Sequence, residues 1–152
     1  MELIDSITAH ALTEAGWFPE RCIAINKMVG ILQAQSIAVF PTAATFFHAF
    51  GDLHVRIYDA HHRVSDTLAL GAFDYGCGYL EWLHDYQSFL GTTLCPVGNF
   101  NSCHFDVYIS PNETFYGTFD ETIFVIGTGS ISAIANIVHL RDWRKNHKVL
   151  RK

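Results

Sequence analysis

Apolar residues recur at helical spacing near the start of the chain. Leu3, Ile4, Ile7, Ala11 and Leu12 make one stripe, which predicts a helix over 3–15. Asp5 or Ser6 suits its start and Gly16 its stop. Trp17-Phe18-Pro19 then reads as a tight apolar corner, with Trp17 plugging the end of the core and Arg21 placed to bond nearby carbonyls. Ile25, Met28, Val29 and Leu32 put one apolar face on a second helix over 23–35, and Pro41 suits the first turn of a third, ending at Gly51.

From residue 53 the period shortens to two. Leu53, Val55 and Ile57 alternate with His54, Arg56 and Tyr58, the pattern of a half-buried strand. Residues 59–66 are polar and read as a loop, 67–73 as a second strand, 74–78 as a Gly-rich connector and 79–90 as a helix. His104, Asp106 and Tyr108 alternate with Phe105, Val107 and Ile109; Pro111-Asn112-Glu113 makes a turn, and Thr114 to Phe119 continues the pattern. This hairpin is the expected centre of an antiparallel sheet. Thr122 to Ile126 predicts another strand, and Ser130 is placed to cap a last helix over 131–140. The order predicts an α+β domain, a mostly antiparallel sheet packed with N-terminal helices and one C-terminal helix.

Length and composition fit one globular domain over 1–152, with 49% apolar and 14% aromatic residues. The net charge of -5 is unevenly spread. From Arg141 onward six Lys or Arg face Asp142 alone, whereas the preceding 140 residues hold four basic residues against fourteen acids. An acidic body repels nucleic acid and attracts basic partners, and the short basic tail from about 141 reads as a solvated end. The first residues lack the basic and apolar regions of a secretory signal, and no apolar run reaches the roughly 18–20 residues of a membrane span. Cys22, Cys77, Cys95 and Cys103 show no CxxC spacing. The expectation is a cytoplasmic chain with reduced thiols.

Candidate chemistry is sparse. Nine histidines are scattered, with no HExxH, HxH or zinc-finger spacing, so no metal or cofactor is expected. His54 and Asp52 with Cys95 or Cys103 allow a cysteine-dependent hydrolase as an alternative. The basic tail allows a nucleic-acid-binding adaptor as another. Gly127-Thr128-Gly129-Ser130 before a helix has the backbone of an anion site but reads as a tight strand-to-helix turn. Asp59, Asp66, Asp74, Glu81 and Asp85 cluster with Arg63 as their only cation, among Tyr58, Tyr75, Trp82 and Tyr86. The plain reading is a solvated face. The functional one is an acidic, ring-studded contact surface for a basic protein.

Several segments resemble one known family in order. Ala15 to Arg21 is similar to the GW-x-P-x-R opening of the third immunity-protein family of the SUKH superfamily. Phe46 to Leu53 resembles its helix end followed by FGGL, with Asp52 in place of a glycine. Leu94 to Gly98 resembles its L-x-P-[IV]-G. Tyr108 to Tyr116 resembles its I-D-x-x-G-x-V-Y hairpin, with Ser110 for the usual Asp and Asn112-Glu113-Thr114 for the acidic-glycine turn. Gly127 to Ala133 resembles the glycine-led start of its final helix.

The resemblance implies an α+β protein that neutralises a bacterial polymorphic toxin, commonly a nuclease or nucleic-acid deaminase, by binding rather than catalysis. It implies Gly16, Trp17, Arg21, Gly51, Pro96 and Gly98 as a structural fingerprint and carries over no contact residues. Asp59, Asp66, Asp74, Tyr75, Glu81 and Asp85 are the contact face expected from composition. The expected partner is a basic toxin domain, without membrane or nucleic acid; a homodimer is left open.

Overall fold

The structure is a computed structural model that describes residues 4–59, 61–71, 79–100, 105–119, 121–139 and 148–149, with backbone alone at 79–81 and 148–149. Its elements run α1 (Ser6–Glu14), α2 (Asn26–Ala34), α3 (Pro41–Phe50), β1 (His54–Tyr58), β2 (Val64–Leu70), α4 (Tyr79–Leu90), β3 (Cys95–Phe100), β4 (Phe105–Ile109), β5 (Thr114–Phe119), β6 (Thr122–Thr128), α5 (Ser130–Val138) and β7 (Lys148–Val149). The seven strands form one antiparallel sheet in sequence order. The fold is α+β, as the residue pattern predicts.

Local chemistry sets the helix ends. Asp5 caps α1 by accepting the Thr8 N–H at 2.9 Å. Gly16 closes it in the left-handed region, with Trp17 N–H on the Leu12 carbonyl and Gly16 N–H on the Thr13 carbonyl, a Schellman motif. The end of α2 repeats those bonds through Ile37 and Ser36, but with serine at φ 61. At α5 the expected cap is displaced. Gly129 is the N-cap and Ser130 the first helical residue. The groups left open there are met by Glu113, whose carboxylate accepts both the Ser130 N–H and hydroxyl at 2.9 Å. The anion site suggested by the Gly127–Ser130 turn is therefore filled from within, by the β4–β5 hairpin.

Register assigns the two faces of the sheet. Val55, Leu68, Leu70, Gly98, Val107, Ile109 and Phe115 share one face. The Phe115 ring meets Phe46 of α3, and Gly127, opposite Phe115, lies against Ala133 of α5. On the other face Tyr108 meets Tyr86 of α4 edge-on at 5.7 Å. Both faces of the middle strands are thus covered, which is why all six residues of β3 are buried and no alternation marked it as a strand. Helix α5 touches both β1 and β6. In a flat sheet those strands would lie about 24 Å apart, whereas nine helical residues span about 13 Å. The sheet must curl around α5.

Two further boundaries differ from expectation. The loop after β1 is shorter than read, because β2 begins at Val64, and Ser65 and Asp66 are strand residues. The tail from 141, read as a solvated end, includes Lys148–Val149, which pair with Ile123 and Thr122 on β6.

Candidate functional site

A groove of about 640 Å³ opens between α1, the C-terminal end of α5 and the β1–β2 hairpin. Ile7, Ala11 and Val138 supply its apolar surface; His10, Tyr58, Asp59, His62 and His139 line the rest. Each wall is fixed by its own hydrogen bond. Asp5 takes the Thr8 hydroxyl at 2.8 Å and approaches His139 Nε2 at 2.9 Å, joining the start of α1 to the end of α5. Partial burial works against ionisation of Asp5, but these bonds prevail and hold its carboxyl well below the usual carboxylate range. Tyr58 donates its hydroxyl to Glu14 at 2.7 Å, joining β1 to α1.

The hairpin itself is organised by Asp59. One carboxylate oxygen accepts the His61 and Arg63 N–H groups at 2.8 and 3.1 Å, and the other lies 3.4 Å from Arg63 Nε. The turn carries His62 at φ 58, in the left-handed region. Of the expected contact residues, Asp59 is thus a turn-forming group that also opens on the groove. Asp66 lies on β2 opposite Ile57, its carboxylate accepting the Thr67 N–H at 2.7 Å. Asp85 is half-buried on α4, in the layer beyond the opposite sheet face. The structure therefore divides these carboxylates between two sides of the sheet. Asp74, Tyr75 and the Glu81 side chain lie outside the described residues.

The alternative chemistries were also placed. Cys95 is fully buried in the core, and burial pushes its thiol up to about 12, far from a nucleophilic thiolate at neutral pH. His54 is exposed on β1; Cys103 lies outside the described residues. Among the described residues, no three His, Cys, Asp or Glu side chains converge as metal ligands would. No helix there is long and apolar enough to cross a membrane.

A protein-family comparison matches residues 4–139 to the SUKH-3 immunity protein family. The chain belongs to that family. No curated protein and no solved structure matches it.

In this SUKH-3 protein the residues expected as a structural fingerprint lie at two places. Trp17 stacks on Phe50 with nearly parallel rings 5.9 Å apart. Arg21 donates to the Ala49 and Gly51 carbonyls at 2.9 and 2.8 Å, so a side chain 28 positions away closes the end of α3. A Cβ at Gly51 would fall 2.6 Å from both the Met28 methyl and the Phe47 carbonyl. The second place is β3. A Cβ at Gly98 would lie 2.5 Å from the Ala69 carbonyl, beside the bulge that follows Pro96. Gly16 supplies the left-handed stop of α1.

Asp52 and Glu113 lie in the left-handed region, at φ 60 and 62, where glycine would be easiest. Such non-glycine geometry costs about 1 kcal/mol or more unless a new contact offsets it. Glu113 gains the two bonds to Ser130. Asp52 lies close enough to Arg21 for its charge to support the guanidinium against the effect of burial.

Among the described residues, Asp59 alone of the expected contact face lines the groove. The rest of its polar lining includes His10, His62 and His139, and the Asp5–His139 contact that fixes it spans 134 positions, so no local pattern links them.

Proposed function

We propose that this SUKH-3 protein neutralises a cognate bacterial polymorphic toxin by binding its toxin domain and covering the active site. The reading makes it a cytoplasmic binding protein over its full length, neither enzyme nor cofactor carrier. The observation that carries it is the family match over residues 4–139. The acid excess of the chain before Arg141 supports a basic partner, of the nuclease or nucleic-acid deaminase class. Carboxylates of the immunity protein then stand where substrate phosphates would, and exposed rings add apolar anchoring.

The run from Asp59 to Asp85 supplies the charge. Asp59 is a poor test of it, because its substitution would also release the His61 and Arg63 amides. Asp66, which accepts the Thr67 N–H, and Asp85 lie on two sides of the sheet, so reversing both tests either side at once, after circular dichroism has shown that the variant folds. Mutating both to Lys should slow association with the toxin about tenfold at low salt, with little change in dissociation, and the deficit should shrink as salt rises. Stopped-flow association at two ionic strengths reads this directly. Wild-type kinetics in the double variant would remove the acidic run from the interface.

A further inference from the structure

Resting on the toxin-binding reading, we infer that the groove between α1, α5 and the β1–β2 hairpin receives a lysine- or arginine-bearing segment of the toxin. The site is concave and bounded by three separate elements, the usual shape of a specific contact. Its floor holds Ile7, a large aliphatic side chain left 59% exposed on the first helix, beside Ala11 and Val138. That surface suits the methylene stem of a long cationic side chain, which buries its carbons and keeps its charge at the rim.

The rim has the complementary sign. Asp59 lines it, and Asp5 and Glu14 stand just behind, bonded to the lining residues His139 and Tyr58. Arg63 pairs with Asp59, while His139 and His10 lie 2.9 and 3.8 Å from Asp5 and Glu14, so three carboxylates face one permanently charged cation among the described residues. The three carboxylates are already held, by Thr8 and His139, by Tyr58, and by the hairpin amides. An arriving cation finds acceptors in place and does not have to order them. The Tyr58 ring offers a further surface to a cation. A neutral or acidic segment would gain the floor and lose the rim.

The test introduces charge where the fold does not need the side chain. Ile7→Lys and His10→Lys alter exposed groups, so circular dichroism and melting should match wild type. The probe is a catalytically inactivated polymorphic-toxin domain of the nuclease or deaminase class, titrated by calorimetry. Wild type and Ile7→Leu should bind alike, and each lysine variant should bind at least tenfold more weakly. Full affinity in both lysine variants overturns the inference and leaves neutralisation standing.

A second titration separates the two ideas. Nona-arginine, but not nona-glutamate, should shift the amide resonances of Ile7, His10, Tyr58 and His62, and Ile7→Lys should abolish the shifts. If this holds while the toxin domain fails to bind wild type, the groove survives and the neutralisation reading falls. Equal shifts from both peptides, or none, overturn the inference. So does a wild-type dimer that Ile7→Lys disperses, since the groove would then be a contact between copies.

Discussion

Replacing Asp106 with Asn should stabilise the protein, and by an amount that depends on pH. Asp106 is on β4, with Asn99 of β3 and Thr118 of β5 as its cross-strand partners. Both neighbours are buried, and burial pushes the Asp106 carboxyl up to about 7 from its ordinary 3.8. The Thr118 hydroxyl turns to the Asp106 backbone carbonyl rather than to the carboxylate. No hydrogen bond from a described residue offsets the desolvation of the charge.

The sign follows from proton binding. The folded carboxyl keeps its proton up to about 7, whereas in the unfolded chain it loses it near 3.8. Between those values the native state holds more protons, so this group's effect on stability becomes more unfavourable as pH rises and levels off above about 7. At about 1.4 kcal/mol per pH unit the full separation corresponds to about 4 kcal/mol. Asp106 is only half-buried, and discounting for solvent screening leaves about 2 kcal/mol. Urea unfolding of wild type and Asp106→Asn at pH 4.5, 6 and 8 measures it, because all other groups titrate alike in the two proteins. The gap should be about 1 kcal/mol at pH 4.5, where the unfolded carboxyl is already mostly ionised, and grow to about 2 kcal/mol in favour of the variant at pH 8. A gap that is the same at all three pH values, or favours wild type at pH 8, would refute the reasoning.

Glu113→Ala keeps the left-handed strain and loses the Ser130 bonds, so it should cost about 1–2 kcal/mol in urea unfolding; Glu113→Gly sheds the strain and should cost less. Arg21→Met leaves the Ala49 and Gly51 carbonyls without their donor and should lower stability by about 2 kcal/mol, with toxin association little changed once folded. Gly98→Ala must move the Ala69 carbonyl or break the bulge; thermal melting should fall by about 5 °C or more, or the variant should not accumulate. In native protein a thiol reagent followed by peptide mapping should label exposed Cys22 and spare Cys95 until urea unfolds the core.

Much of this architecture is legible in residue spacing, and the exceptions have physical causes. The alternation of β1 read correctly, because one face is buried and the other wet. The α1 stripe held in part: Ala11 and Leu12 are buried, but Ile7 is 59% exposed and Thr8 is buried instead. β3 was hidden because layers on both sides bury it throughout, leaving no period to detect. The pairing of Lys148–Val149 was hidden by its length; two residues among charges carry no strand signal. Residues 64–66, of which Ser65 and Asp66 are polar, read as loop, yet β2 begins there, held by pairing with β1. Arg21 bonds carbonyls as expected, but those of Ala49 and Gly51, 28 and 30 positions away, and the partner of Glu113 is 17 positions away, beyond any local pattern. The groove is the extreme case, since its surface exists only once α1, α5 and the hairpin meet.

Whether the protein works by stoichiometric cover of a toxin is open to one direct measurement. A polymorphic-toxin domain that the protein binds is assayed on its own substrate while purified protein is added in increments. The account predicts that activity falls linearly to zero at one equivalent, without dependence on incubation time, and that the toxin's intact mass is unchanged. Progressive loss of activity at a small fraction of an equivalent, with a changed toxin mass, would mean that the protein acts by catalysis and would contradict it.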